Sequence, residues 1–423
     1  MNGFARRTRR AFLTSVGAAG AIAAAGGAAA AQTTINEILQ SPRRGNWDDQ
    51  FDAAGARTTE VMSRVPILSP LTSGYVEQSI FDYRMIVAQG GWPRVNATQA
   101  LRVGVQDEAV RQLRRRLIVS GDLPRNAGDS ATFDTFLDGA VKRFQVRHGM
   151  TADGIVGNYT LAALNVSAPV RLGQLETNLV RLRSMSGYLG DRYVMVNIPA
   201  AEVEAVETDR VALRHKAIVG KIDRQTPILS SQIHEVILNP YWTAPKSIIR
   251  KDIIPLMRED PTYLTRNKIR LFDQGGNEVP PELVDWSTDE ALALRFRQDP
   301  GKINAMSSTK INFQNPHAVY MHDTPQQSLF GQFLRFESSG CVRVHNIREL
   351  TIWLLESTPG WDRNRIEQVV ASGVNTEIPV EVKVPVYFVY ISAWSTDDRV
   401  VHFRDDIYNR DGVDELQLSS TTL

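Results

Sequence analysis

The chain has 423 residues, with 48 Lys and Arg against 47 Asp and Glu, and it contains a single cysteine. Balanced charge removes the electrostatic case for nucleic-acid binding, and one cysteine excludes a disulfide within the chain. The length is sufficient for two or three domains, each with its own core.

The N-terminus begins with the basic stretch Met1–Leu13 and continues as an uncharged Ala- and Gly-rich run to Ala31. A basic head, a weakly apolar body and small residues at the end are typical of an export signal, here residues 1–31. The stretch Thr8–Leu13, TRRAFL, resembles the twin-arginine type and predicts a periplasmic location. An uncleaved membrane anchor is the alternative, since about 20 apolar residues can span a bilayer.

The next two segments have helical patterns. In residues 32–97, Ile80, Tyr83 and Val87 follow helical spacing, and turn residues close the segment. In residues 98–167, three short apolar repeats alternate with Gly- and Asp-rich turns, which predicts a small three-helix module. Its helical positions are Val110, Leu113 and Leu117, then Leu137, Ala140, Val141 and Phe144, then Thr160–Asn165.

A connecting helix is predicted over residues 168–190, where leucines repeat on one face. From residue 191 to residue 423, short runs rich in Val and Ile predict a mostly β domain. Residues from about 249 to 300 interrupt it with charged, helical and irregular pieces, which suggests a capping insertion near the site. The whole chain is thus predicted to have a multidomain α+β fold.

The candidate catalytic residues lie in one stretch, His317–Asn346. Cys341 follows Ser338-Ser339-Gly340, and His322 ends the alternating run Ala318–His322. A thiol attacks a carbonyl carbon only as thiolate, so a nucleophilic cysteine needs a base or a cation nearby. The non-catalytic alternative is a buried structural cysteine beside a structural histidine.

Three features favour the catalytic interpretation. Gly340 permits a positive φ or a close backbone approach just before Cys341. A helix cap at Asn346, with Glu349 three residues on, predicts that Cys341 lies in a turn between a strand and a helix. A lone exported thiol is also a liability unless it has a use.

The strings His322-Asp323-Thr324-Pro325 and Ser338-Ser339-Gly340-Cys341-Val342-Arg343-Val344 resemble the signature of the YkuD-type L,D-transpeptidases, in particular their large periplasmic members. This resemblance implies a cysteine nucleophile at Cys341, activated by His322, and a helical scaffold packed on the catalytic domain. Ser339 stands where many members have a histidine, and His317 is interpreted as structural. Met306–Thr309 departs from the family's glycine-containing turn.

The segment AVKRFQVRHGMTADGIVGNYTLAALN resembles the peptidoglycan-binding domain that often accompanies cell-wall enzymes. An inert spacer is the alternative for this module. The two resemblances together imply peptidoglycan stem peptides as partners, inhibition by carbapenems and possible contact with other cell-wall synthesis proteins.

The remaining site residues follow from the same resemblance and from side-chain chemistry. Backbone N–H groups around Gly340 and Cys341 are expected to hold the oxyanion, with Ser339 and Asp323 as support. Asp323 is expected to orient His322 through its backbone. Three side chains are candidates for substrate binding: Tyr320, Trp242 and Arg343. Trp242 could equally pack on the core, and Arg343 could equally form a salt bridge within the fold.

Two other functions remain open. A cysteine peptidase or amidase acting on wall peptides would resolve the thioester with water, and a non-catalytic wall-binding scaffold would leave Cys341 idle. No cofactor is expected, because the seven histidines are scattered and form no metal-binding motif.

Overall fold

The computed structural model describes residues 63–187 and 189–418, which all fall within one compact unit, Glu60–Leu423. The predicted export signal, residues 1–31, and the first half of the scaffold segment lie outside the described residues. Over the part that is described, no helix combines the length and the apolar character needed to cross a membrane.

A pair of long helices precedes the catalytic region. Helix α1, Pro70–Ala88, starts at Ser69, whose hydroxyl accepts a hydrogen bond from the Leu71 N–H at 3.1 Å. Its buried face includes Ile80 and Tyr83, as the helical spacing predicts, and it packs against the connecting helix Ala168–Met185.

The helical module has the three predicted helices, Glu108–Val119 (α2), Thr135–Arg147 (α3) and Asn158–Asn165 (α4). Asp107 and Asp134 cap the first two with their carboxylates. Its apolar positions form a core of their own. At the end of α3, the ring of His148 stacks between Phe144 and Phe403, with ring centroids 3.9 Å and 5.5 Å away. This stack joins the module to the C-terminal part of the catalytic region.

The catalytic region is built on a nine-stranded mixed sheet that confirms the predicted β-rich domain. The strands are β1 Arg192–Asn197, β2 Glu202–Glu207, β3 Arg210–Gly220, β4 Leu229–Leu238, β9 Thr309–Phe313, β10 Met321–His322, β11 Phe336–Ser338, β12 Val342–Val344 and β13 Thr376–Val389. Their order in the sheet is β11-β3-β12-β10-β9-β4-β13-β1-β2. The edge strand β2 also pairs with β3, so the two ends of the sheet meet. Alternate residues of these strands fill the main core, to which helices Ile347–Leu355 and Arg363–Ser372 contribute.

The insertion, residues 239–308, lies between β4 and β9 and is not purely helical. It contains the expected short helices, Lys246–Ile248, Ile254–Glu259 and Tyr263–Arg266, and a π-helical turn at Ile249–Ile253. It also contains a four-stranded antiparallel sheet that the sequence interpretation missed. Its strands are β5 Trp242–Thr243, β6 Ile269–Phe272, β7 Glu278–Val279 and β8 Arg295–Gln298. Strands of two to four residues are too short to show a period, and this sheet forms because Leu271 and Phe296 close a separate small core.

A smaller hairpin of Ala393–Ser395 and Val401–Phe403 follows the main sheet. Phe403 belongs to the second of these strands. The hairpin therefore carries the residue that completes the stack on the helical module.

Candidate active site

Strands β9, β10 and β12 form the floor of the site. His322 is directly opposite Arg343 in the parallel pair and opposite Lys310 in the antiparallel pair. Met321 and Val342 pair in the same ladder and are fully buried in the core. Because side chains alternate along a strand, His322, Arg343 and Lys310 all project from the opposite face. Tyr320 and Cys341 each come two residues before a member of this set and extend the same face.

Cys341 occupies a tight turn between two strands, β11 and β12. The predicted position between a strand and a helix is therefore wrong, since the helix begins only after β12. Asn346 there adopts a left-handed conformation, with φ of 50°, and its side chain makes no capping hydrogen bond. Glu349 does not complete a capping box, because its carboxylate pairs with Arg363 at 2.6 Å.

Gly340 provides the backbone conformation of this turn. Its φ is 111°, a value that other residues rarely adopt. Its N–H donates to Ser338 Oγ at 3.2 Å, and Ser338 Oγ donates to the Cys341 carbonyl at 2.5 Å. The Gly340 N–H is thus engaged within the turn, which contradicts its predicted use for the oxyanion. The Cys341 N–H remains the predicted backbone donor.

Ser339 is exposed at the tip of the turn and connects it to the insertion. Its hydroxyl accepts a hydrogen bond from Arg224 Nη1 at 2.9 Å. The same guanidinium holds both oxygens of Asp252, in the π-helical turn, at 2.6 Å and 3.0 Å. Neither Arg224 nor Asp252 was expected at the site. No local pattern could have indicated them, because their partner Ser339 is 115 positions beyond Arg224 in the sequence.

The residues Tyr320 and Trp242 surround the half-buried thiol on one side. The Tyr320 hydroxyl and backbone N–H both hydrogen-bond the Cys341 sulfur, and the Trp242 indole N–H donates to the same hydroxyl. Burial raises the pKa of the Cys341 thiol, and these two donors, together with the charges of Lys310 and Arg343, oppose that rise. Trp242 also packs against the small core of the insertion, so both alternatives for this residue apply.

His322 has a defined tautomer. Its Nδ1 lies 2.5 Å from the backbone carbonyl of Asp323, and a carbonyl can only accept, so Nδ1 carries the proton. The lone pair of Nε2 is then available to accept a proton from a neighbour. Burial, together with the charges of Arg343 and Lys310, lowers the pKa of His322 to about 3. The imidazole is neutral at physiological pH.

The Asp323 carboxylate holds the neighbouring turn rather than the imidazole. It accepts from Ser308 Oγ at 2.7 Å and from the Thr324 N–H at 2.8 Å. Ser308 belongs to Met306–Thr309, the segment that lacks the family's glycine. Ser307 there adopts the left-handed conformation, with φ of 48°, that a glycine would favour.

Two cations face the site without a carboxylate partner. Arg343 Nη1 donates to Gln326 Oε1 at 2.8 Å, and the described residues offer it no salt bridge, so the alternative of an ion pair within the fold is not found. Lys310 Nζ lies 4.5 Å from the centroid of the Tyr320 ring. Lys310 was not predicted, although a lysine within the apolar alternation of Thr309–Phe313 could have suggested it.

His317 is exposed and directly precedes the predicted alternating run, which is itself interrupted. Ala318 has a φ of 53°, and only Met321–His322 of the run Ala318–His322 forms a strand. No group of three or more His, Cys, Asp or Glu side chains that could hold a metal ion occurs among residues 63–187 and 189–418.

Comparison with known families gives two matches. Residues 191–375 match the YkuD family, described as the L,D-transpeptidase catalytic domain. Residues 106–164 match a family described as a candidate peptidoglycan-binding domain. The two matches cover the β-rich region that holds Cys341 and His322, and the three-helix module that precedes it.

Two curated proteins resemble parts of the chain. A Haemophilus influenzae protein, named as a candidate L,D-transpeptidase, is 35% identical over 239 residues, which are 56% of this chain and 48% of that protein. The N-acetylmuramoyl-L-alanine amidase CwlM of Mycobacterium tuberculosis is 39% identical over 89 residues, 19% of this chain and 22% of its own length. The chain thus spans about half of the first relative and about a fifth of the second.

Among solved structures, an L,D-transpeptidase from Stackebrandtia nassauensis aligns at 12% identity with a TM-score of 0.26, covering 70% of this chain and 96% of that chain. A TM-score of this size supports no conclusion about fold or function.

Proposed function

We propose that this chain, whose residues 191–375 match the YkuD family of L,D-transpeptidase catalytic domains, is an exported enzyme that cross-links peptidoglycan through a thioester on Cys341. The observation that carries the proposal is that Cys341 directly precedes β12, which pairs with the strand of a neutral His322 whose Nε2 is the unprotonated nitrogen. The neighbouring module, within the proposed limits 98–167, would bind or position the wall.

In the first step, His322 Nε2 takes the thiol proton as Cys341 sulfur attacks the substrate carbonyl carbon. By resemblance to the family, this carbonyl joins the third and fourth residues of a peptidoglycan stem. The resulting oxyanion would be held by the Cys341 N–H and by the Tyr320 hydroxyl, which already contacts the sulfur. Trp242 fixes that hydroxyl and completes the wall of the site.

The low pKa of His322 then helps the leaving group. An imidazolium flanked by Lys310 and Arg343 is a strong acid, so it passes its proton to the departing amine of the terminal D-amino acid. The C–N bond breaks and the thioester remains. In the second step, the amine of another stem attacks the thioester, His322 accepts its proton, and the thiolate leaves to be reprotonated. A cross-link between third residues results.

The two cations, Lys310 and Arg343, can bind negative charge on the substrate. The hydrogen bond that the Arg343 guanidinium makes among the described residues goes to a neutral amide, and a guanidinium is suited to a carboxylate. We therefore propose it as the residue that binds a stem carboxylate. Sensitivity to carbapenems would follow from acylation of the same thiol.

A cysteine peptidase or amidase differs from this proposal only in the acceptor, which would be water. The half-open position of Cys341 does not distinguish the two. A non-catalytic scaffold predicts a thiol that stays unreactive near neutral pH.

Mass spectrometry of the purified protein after incubation with a carbapenem tests the nucleophile. We expect one adduct on the wild type and on Lys302→Met, which removes an exposed lysine and serves as the control, and none on Cys341→Ala. Incubation with a disaccharide-tetrapeptide should then give a cross-linked dimer rather than a hydrolysed tripeptide. No adduct on folded wild-type protein would reject the proposal, and hydrolysis alone would favour the peptidase.

A further inference from the structure

In the steps above Lys310 acts as a positive charge beside His322, and the same charge also acts on the thiol of Cys341. It projects from β9 directly opposite His322, on the face that carries Cys341. Its ammonium lies 4.5 Å from the centroid of the Tyr320 ring, whose hydroxyl contacts the Cys341 sulfur. The side chain is half-buried, and within the described ranges no carboxylate forms a salt bridge with it.

A half-buried ammonium without a salt bridge needs a compensating anion. Burial already lowers the pKa of Lys310, while Glu235 and Glu377, from the neighbouring strands β4 and β13, and Cys341 raise it. Neither glutamate comes close enough for an ion pair, and the Glu235 carboxylate accepts a hydrogen bond from Asn312 at 2.6 Å. The anion closest to the reaction is the thiolate of Cys341.

The usual cation beside a catalytic thiolate is an imidazolium, which stays in place after taking the proton. Here His322 is a poor candidate, because it is buried and flanked by two positive side chains. The thiolate therefore needs positive charge from another element. Arg343 provides one charge from β12, but Gln326 holds its guanidinium by one nitrogen. Lys310 provides the other from β9.

We propose that Lys310 supplies a fixed positive charge that stabilises the thiolate of Cys341, so that His322 transfers protons without having to remain charged. Lys310 is a positioning residue in this scheme, since it acts on the nucleophile through the electric field and through the Tyr320 ring. It forms no bond to substrate. The inference rests on the proposed nucleophile, although its test requires no wall substrate.

The test is alkylation of the full-length protein at pH 7.5 with two small reagents, neutral iodoacetamide and anionic iodoacetate. Each alkylates the thiolate, so the rate follows the thiolate fraction, and one unit of pKa corresponds to about tenfold. We expect Lys310→Met to lower the iodoacetamide rate about tenfold. The iodoacetate rate should fall further, because the cation that attracts this reagent is also removed. Lys310→Arg should stay within about twofold of the wild type, since it keeps the charge.

Two controls separate charge from packing. Lys302→Met removes an exposed lysine in the insertion and should leave both rates unchanged. Lys310→Gln repeats the neutralisation with a polar side chain, in case the methionine variant folds poorly. The inference is overturned if a folded neutral variant alkylates within twofold of the wild type, or if Lys310→Arg is as slow as Lys310→Met.

The result is also separable from the proposed function. A wild type that forms a carbapenem adduct while Lys310→Met keeps its alkylation rates would refute only the role of Lys310. A wild type that alkylates as expected but forms no cross-link would refute only the transpeptidase activity.

Discussion

The substitution Gly220→Ala should disturb the turn that holds Cys341, although Gly220 lies outside that turn. Gly220 ends β3, and a Cβ built there would lie 2.2 Å from the Arg224 carbonyl oxygen and 2.6 Å from the Thr226 backbone nitrogen. Both distances are far below a tolerable contact, and the atoms are backbone, so the turn of residues 221–226 must open. That turn supports the site, because Thr226 Oγ1 donates to the Gly340 carbonyl at 2.9 Å and accepts from the Gly220 N–H at 2.8 Å.

The magnitude follows from these contacts. Overpacking a closed site costs about 1–3 kcal/mol, and each of the two hydrogen bonds that the Thr226 hydroxyl would lose contributes about 1 kcal/mol. We therefore expect the free energy of unfolding to fall by about 3–5 kcal/mol, measured by urea denaturation. Acylation of Cys341 by a carbapenem, followed in a stopped-flow instrument, should slow at least tenfold, because Gly340 loses its support.

Two variants calibrate this result. Thr226→Val removes only the hydroxyl, and it should cost about 1–2 kcal/mol. Gly173→Ala, in the connecting helix, places its Cβ in open space and should be neutral or stabilising by about 0.5–1 kcal/mol. If Gly220→Ala lost less than about 0.5 kcal/mol and kept its acylation rate, the turn would be more adaptable than overpacking of a closed site allows.

Three further outcomes are expected. The folded pKa of His322 is about 3, below its unfolded value, so its contribution to stability is complete above pH 6.5. That contribution should decline by at most about 1.4 kcal/mol per pH unit as the pH falls towards 3, which acid titration of the unfolding midpoint would show. Replacement of His322 by Gln should flatten this decline. Asp252→Asn should change the free energy of unfolding by less than about 1 kcal/mol, since the ion pair of Asp252 with Arg224 is half-exposed. It should nevertheless lower the carbapenem acylation rate several-fold. An unchanged rate would show that the insertion does not hold the Cys341 turn. Glu204→Gln should lower the free energy of unfolding, measured by urea denaturation, by about 2–3 kcal/mol, because the carboxylate is fully buried against Arg214. A loss below about 1 kcal/mol would contradict a structural role for that ion pair.

Local patterns predicted much of this architecture for physical reasons. The helical module could be predicted from the sequence because Val110, Leu113 and Leu117 repeat with the period of a helix, and all three are fully buried in its core. Cys341 and His322 could be singled out from the sequence because both stand in short signature strings, and their catalytic roles stay predictions.

The parts that could not be predicted depend on contacts between distant segments. Arg224 reaches Ser339 and Asp252 from a turn that has no special composition. Lys310 acquires its importance only from the register that sets it opposite His322. Asn346 resembled a helix cap, but the chain must enter the helix directly from β12, and it does so in a left-handed conformation. The tertiary fold overrode the local preference there.

The stack of His148 between Phe144 and Phe403 has a mechanical consequence. Arg147, which a salt bridge to Asp122 at 2.7 Å holds within the module, donates a hydrogen bond to the Val401 carbonyl at 3.2 Å. The module is therefore fastened to the β-rich region by buried aromatic contacts and a hydrogen bond, and not by a free tether. A glycan strand bound to such a module would present its stem peptides to Cys341 at a fixed distance and angle. A flexible linker would instead allow many distances and orientations.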